Sequence, residues 1–199
     1  MDAPGAPRED LDHYLAKSLY PFAAANLRNL VPMGHKCNSS YKLAIDIMWR
    51  TDGTRRVAFD PYNHAEIAVL LDDSDPFHGT IENTPRWEIH FAPDTPAVST
   101  WDDVFSVRVR YCRDHLNPSY ARWLGLFGVW VRSSGLEVDT DEAIVAALQC
   151  YENYWVESGM HDRAFLKAAV FRMLRRHCEA GHQRLLNQIK DLVTHSSTP

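Results

Sequence analysis

Asp12 and His13 stand side by side near the start of a 199-residue chain, and Asn29, Asn38 and Lys42 follow within 30 positions. These side chains suit one kind of chemistry. A hard divalent cation such as Mg²⁺ takes oxygen ligands and keeps several waters, so one carboxylate and one amide oxygen suffice to hold it beside a phosphate. Asp12 and Asn38 supply that pair. His13 follows the carboxylate and projects to the other side of an extended chain, where it can take a proton from an attacking water. Asn29 comes 16 residues after His13 and Asn38 comes 25 after it, room enough for a loop to fold back. Asn29 is then placed to bridge that loop and hold the His13 backbone or ring. Lys42 and Arg28 are the cations nearest to hand for a neighbouring phosphate.

Such a set needs rigid elements to hold it. DLDHYL alternates apolar and polar residues and predicts a short strand. RNLVPM predicts a second, confined to an edge or a strand end by Pro32. After Gly34, HKCNSSYKLAIDIMW predicts a helix, with Leu43, Ile47 and Met48 as its apolar stripe. Strand, long loop, strand and helix make a compact scaffold for a metal. The competing account is that these polar residues only hydrogen-bond the loop.

Asp12-His13, Asn29-Leu30-Val31-Pro32, and Cys37-Asn38 followed by Lys42 occur in the order in which the HNH endonucleases, the ββα-metal nucleases, carry their motif. The stretch resembles that family over about 31 residues. The resemblance implies that His13 is the general base, that Asn29 orients it, and that Asp12 and Asn38 bind Mg²⁺ or Mn²⁺. It implies hydrolysis of phosphodiester bonds, most readily in DNA. Two departures stand out. Gly34 occupies the place of a cysteine that in many relatives helps hold a structural zinc, and no upstream Cys-x-x-Cys exists. Ala16 replaces a proline common after the Asp-His strand. His35 and Cys37 give only two of the four ligands that zinc wants, so structural zinc is not expected. PYNHAEI is similar to a Pro-Tyr-x-Asp stretch that often follows the motif, although Asn63 and His64 depart from it. Asp60 or His64 would be the addition this stretch makes to the metal site, if it is not a plain connector.

Composition predicts a soluble globular protein. Hydrophobic residues make up 45 % and charged residues 24 % of the chain, proportions that support a sizeable core. No apolar run reaches the length of a membrane span, and the N-terminus lacks a signal-peptide core. Cys37, Cys112, Cys150 and Cys178 are widely separated, which fits a reduced, cytoplasmic setting. The net charge of −5 disfavours unaided capture of a polyanion. Basic residues must therefore cluster locally, or a protein partner such as an ATPase subunit must help, as in a defence or DNA-processing complex.

The rest of the chain predicts an α+β fold with an HNH module over 1–50, a mixed connector over 51–98 and a helical domain over 99–195. In the connector, VAFDPY predicts a strand and NHAEIAVLL a short helix. RWEIHFAP predicts a strand with Trp87, Ile89 and Phe91 on one face. Beyond Ser99 the apolar spacing is helical, with Thr100 as the first cap, Asn117-Pro118 as a junction and Gly135 as a C-terminal stop. Arg172, Arg175 and Arg176 stand off the apolar stripe of a late helix. They form either a surface for a phosphate backbone or an ordinary face paired with acids. Two functions are consistent with the whole: a metal-dependent endonuclease, or a degenerate nuclease fold that binds DNA or protein without cutting.

Overall fold

The computed structural model describes residues 11–33, 37–43, 45–63, 65–159 and 161–194. The alternating LDH segment forms strand β1 (Leu11–His13), which pairs antiparallel with β2 (Leu30–Pro32) so that Asp12 faces Val31 and His13 faces Leu30. Pro32 ends β2, as its missing N–H requires. The intervening loop is tightened by two short 3₁₀ turns, Pro21–Ala23 and Leu27–Asn29.

The helix expected after Gly34 is cut short. Cys37–Lys42 forms a single π-helical turn, and Leu43 leaves it with φ of +45°. Beyond it the chain turns into a hairpin in which Trp49 pairs with Arg55 around Asp52-Gly53. Asp52 accepts hydrogen bonds from the Thr54 amide and hydroxyl, and Gly53 takes the left-handed φ of +82° that the reversal demands. Turn chemistry at Asp52-Gly53 overrides the apolar spacing of Ile47 and Met48 that suggests a longer helix.

Two further expectations are corrected in the connector. Among the described residues VAFDPY joins no sheet. The end of NHAEIAVLL is not helical but forms strand β3 (Ala68–Leu70), antiparallel to β4 (His90–Ala92) with Val69 opposite Phe91. The β-branched Val69 completes a cross-strand apolar pair there. RWEIHFAP does bury Ile89 and Phe91 and expose Glu88 and His90, although only its end is paired.

Helix α1 (Pro96–Phe105) starts earlier than Thr100. Thr95 is the cap, accepting from the Val98 amide at 3.3 Å with Pro96 in the first turn, while Thr100 is buried inside the helix. Ser106, at φ of +51°, breaks it from α2 (Val107–Arg110). A π-helical segment, Tyr111–Leu116, runs into α3 (Asn117–Ser134), which stops at left-handed Gly135. Helices α4 (Asp141–Glu157), α5 (Ala164–Glu179) and α6 (Gln183–Thr194) complete the chain.

The chain divides into two compact units, and not at the boundaries that the sequence suggests. The motif unit comprises 1–67 and 93–109, so α1 belongs with the motif and packs against the Cys37–Lys42 turn. The helical unit comprises 68–92 and 110–199. Its core centres on α5, where Leu166, Val170, Phe171, Met173 and Leu174 are wholly buried. Gly128 lets α3 approach α6: a Cβ there would lie 3.0 Å from the Leu192 carbonyl oxygen.

Candidate active site

β1 carries Asp12 and His13 at adjacent positions, and the Tyr14–Asn29 loop folds back over them. Asn29 is the clamp. Its buried side chain accepts from the Leu15 amide at 2.7 Å and donates to the Leu15 carbonyl at 3.0 Å, while its own carbonyl accepts from the Tyr14 amide at 2.7 Å. Three bonds thus fix the backbone directly after His13. An amide side chain is the residue that can both donate and accept at one peptide.

The His13 ring meets the same loop from its other side. Nε2 lies 3.3 Å from the carbonyl oxygen of Ala24. A carbonyl only accepts, so this contact assigns the proton to Nε2 and leaves Nδ1 as the basic nitrogen of the neutral ring. The loop therefore selects a tautomer as well as a position.

Lys42 is placed differently from expectation. It is 2 % exposed, and its ammonium lies 2.6 Å from both Asp12 Oδ2 and the carbonyl oxygen of His13. It is not available to an external phosphate while these bonds hold. Buried ammonium groups require such partners. One positive charge thus joins the π-helical turn to the Asp-His pair, at the carboxylate that the sequence assigns to a cation. Among the described residues, Lys42 is the hydrogen-bond partner of the Asp12 carboxylate. Asn38 lies in the same turn, four residues before Lys42, and its side chain lies outside the described residues, as do His35 and His64.

The Asp60-Pro61-Tyr62 stretch reaches this module by two contacts that the sequence does not reveal. The Tyr62 hydroxyl donates to the carbonyl of Leu30 in β2, and Asp60 pairs with Arg28 at 2.6 Å. Asp60 is thus engaged by Arg28. The Pro-Tyr likeness is the signal available for this docking. Arg28 is exposed on the loop, and an exposed pair of this kind is weak enough to exchange for a phosphate. Tyr14, next to His13, has its phenol pushed up to about 12, first by burial and then by the Asp60 charge. Tyr20 donates to both oxygens of Asp46, and its phenol is also raised to about 12.

The arginines of α5 are each paired with an acid. Arg172 and Arg176 both bind Asp72, at 2.9 and 2.5 Å, and Arg175 binds Glu152 at 2.8 Å and Glu179 at 2.6 Å. This is the paired-face alternative, and its chief acid, Asp72, is a hundred residues away in sequence. Each guanidinium here ties helix to helix or helix to the segment after β3.

Among the described residues no group of three or more His, Cys, Asp or Glu side chains is gathered for a metal. A site of one carboxylate and one amide oxygen is not of that kind. The one carboxylate of such a pair, Asp12, precedes His13 in β1 and is bonded to the Lys42 ammonium. A carboxylate and an amide oxygen are hard donors of the kind Mg²⁺ and Mn²⁺ prefer. No family model, curated protein or solved structure matches the chain. No described helix is long and apolar enough to cross a membrane.

Proposed function

We propose that this protein is a metal-dependent endonuclease of the HNH type that hydrolyses phosphodiester bonds in DNA. The observation that carries this is the clamped histidine. A loop pinned by Asn29 holds His13 with Nε2 committed to Ala24 and Nδ1 left basic, at the position that follows Asp12 in β1. In this reading His13 takes a proton from water through Nδ1 as the water oxygen bonds to phosphorus and the bond to the leaving nucleotide breaks. Asp12 and Asn38 would hold Mg²⁺ or Mn²⁺, which when bound stabilises negative charge on the phosphate and on the leaving oxygen. Asn29 keeps the base in place, and Arg28 offers a phosphate contact at the loop. Lys42 neutralises Asp12 in the absence of the cation and must give way, in whole or part, when the carboxylate turns to a metal.

The net charge of −5 and the paired arginines of α5 support a protein partner, such as an ATPase subunit, that helps bring DNA to the site. Cys37, Cys112, Cys150 and Cys178 form no disulfide, which supports a reduced cytoplasmic setting.

One observation favours a second function. With Lys42 bonded to Asp12, the module is self-satisfied, as a degenerate nuclease that binds without cutting would be. Purified protein on supercoiled plasmid separates the two. The endonuclease converts plasmid to nicked or linear form with Mg²⁺ or Mn²⁺ and does nothing in EDTA. Binding without conversion in either metal would establish the degenerate fold.

A further inference from the structure

The hairpin after the motif carries Trp49, Arg50, Arg55 and Arg56, and none of these is used by the site described above. It stands beside the first turn of α1, and between them lies a cavity of about 420 Å³ lined by Arg50, Arg55, Arg56, Asp94, Thr95 and Ser99, among others. We propose that this cavity is a phosphate subsite for the backbone of the DNA strand, an inference that rests on the nuclease reading and names how the same unit grips its substrate.

Charge is the first reason. Three arginines and one carboxylate, Asp94, line the cavity, and of the three only Arg56 is paired with a further acid among the described residues, Asp103, in a chain whose overall balance is acidic. Among the described residues, Arg50 and Arg55 make no salt bridge, unlike the arginines of α5. The second reason is Arg56. Its side chain is only 10 % exposed; Nη1 is spent on Asp103, yet Nε is buried without any hydrogen-bond partner. That Nε is closed off from solvent, so what Arg56 contributes to the cavity is a guanidinium held in place in its wall by Asp103. The third is the wall opposite. The first turn of α1 adds the positive end of a helix dipole to the guanidinium groups.

A nucleotide fits better than a bare anion. A second cavity of about 440 Å³ shares Arg50 and Arg56 and is lined also by Ile45, Trp49, Thr51 and one carboxylate, Asp46, whose oxygens are already bonded to the Tyr20 hydroxyl. Trp49 is 47 % exposed, which leaves an aromatic face for a base next to the arginines for its phosphate. Arginine is the side chain suited to both tasks, since its planar fork bonds phosphate bidentately.

The experiment uses full-length protein and labelled oligonucleotides in EDTA, where binding is read without turnover. Arg50→Ala combined with Arg55→Ala should weaken DNA binding about tenfold. It should also flatten the dependence of log K on log salt by about 1.8 for duplex DNA, two phosphate contacts' worth. Arg50→Lys with Arg55→Lys, which keeps the charge, should retain the wild-type salt dependence. Wild-type affinity and slope in the alanine pair would overturn the subsite, and so would a lysine pair as defective as the alanine pair. Inorganic phosphate should compete with the oligonucleotide. Stabilisation of the protein by phosphate, with DNA binding indifferent to both arginines, would mark a free-anion site and also overturn it. Plasmid cleavage in Mg²⁺ is scored separately. Intact cleavage with arginine-independent binding sinks only the subsite; arginine-dependent binding without cleavage sinks only the nuclease.

Discussion

In the helical unit, Tyr151 lies 4.6 Å edge-on from Phe171 and 5.2 Å from Phe127, and α5 is buried along most of its length. The motif unit has little of this. Its buried apolar side chains among the described residues are Val31, Ile47, Val98, Val104, Phe105 and Val107. Its short elements are joined instead by polar contacts: Asn29 to Leu15, Lys42 to Asp12 and His13, Tyr20 to Asp46, Tyr62 to Leu30, and Arg56 to Asp103. Three-residue strands and a single helical turn cannot bury enough surface to fix a site by packing. Directional bonds fix it, and they fix the positions of His13 and Asp12 in particular. One unit is ordered by buried area and the other by donors and acceptors, so the two should break in different ways.

Phe171→Ala strikes the packed unit hardest. Truncating a fully buried aromatic should cost about 3–5 kcal/mol, seen as a lower denaturant midpoint with loss of helical circular dichroism. The corresponding blow to the motif unit is Lys42→Met. It leaves the Asp12 carboxylate and the His13 carbonyl without their ammonium and should cost up to about 3 kcal/mol. Hydrogen exchange would place that loss at β1, β2 and the Cys37–Lys42 turn, with α4 and α5 protected as before. Asn29→Ala should cost about 1–3 kcal/mol, because the Leu15 amide and carbonyl lose their partner in a half-buried place. Exchange of the Tyr14 and Leu15 amides would report it. A loss spread evenly over both units would dissolve the distinction between them.

The smallest effect is alkaline. In the unfolded chain Tyr14 ionises near the ordinary phenol value of 10.0, whereas in the folded protein the phenol is held up to about 12. Between these values the unfolded state has released a proton that the native state retains. Stability is therefore full below pH 10 and falls as pH rises towards 12. Tyr14→Phe removes its share of that decline, which denaturant titrations at pH 9 and pH 11 should show as a shallower loss.

Much of the motif is legible in the sequence because its constraints are local. Alternation in LDH and the proline of LVP predict two short strands, and the structure pairs them. Asn29 is recognisable as a loop bridge, since an amide sixteen residues past a strand end has few other uses. The parts that escape are set by partners distant in sequence or by competing turn chemistry. The helix after Gly34 fails at Leu43 because Asp52-Gly53 closes a hairpin that claims Trp49. Lys42 has the look of a phosphate ligand because nothing local shows that its ammonium turns inward to Asp12. The α5 arginines resemble a basic face until the fold brings Asp72, Glu152 and Glu179 against them. Periodicity places α1 with the helical domain, and only tertiary packing joins it to the motif. The hairpin arginines carry a weak signal, two adjacent cations near a tryptophan, which means little without the cavity.

We propose that the clamped His13 is a general base. It is tested most directly by the initial rate of plasmid cleavage in Mg²⁺, wild type against His13→Ala, at saturating DNA and with circular dichroism confirming an unchanged fold. Removing the base should lower the rate by about 10²–10⁴-fold while DNA binding persists. Cleavage by the alanine variant at the wild-type rate would contradict it.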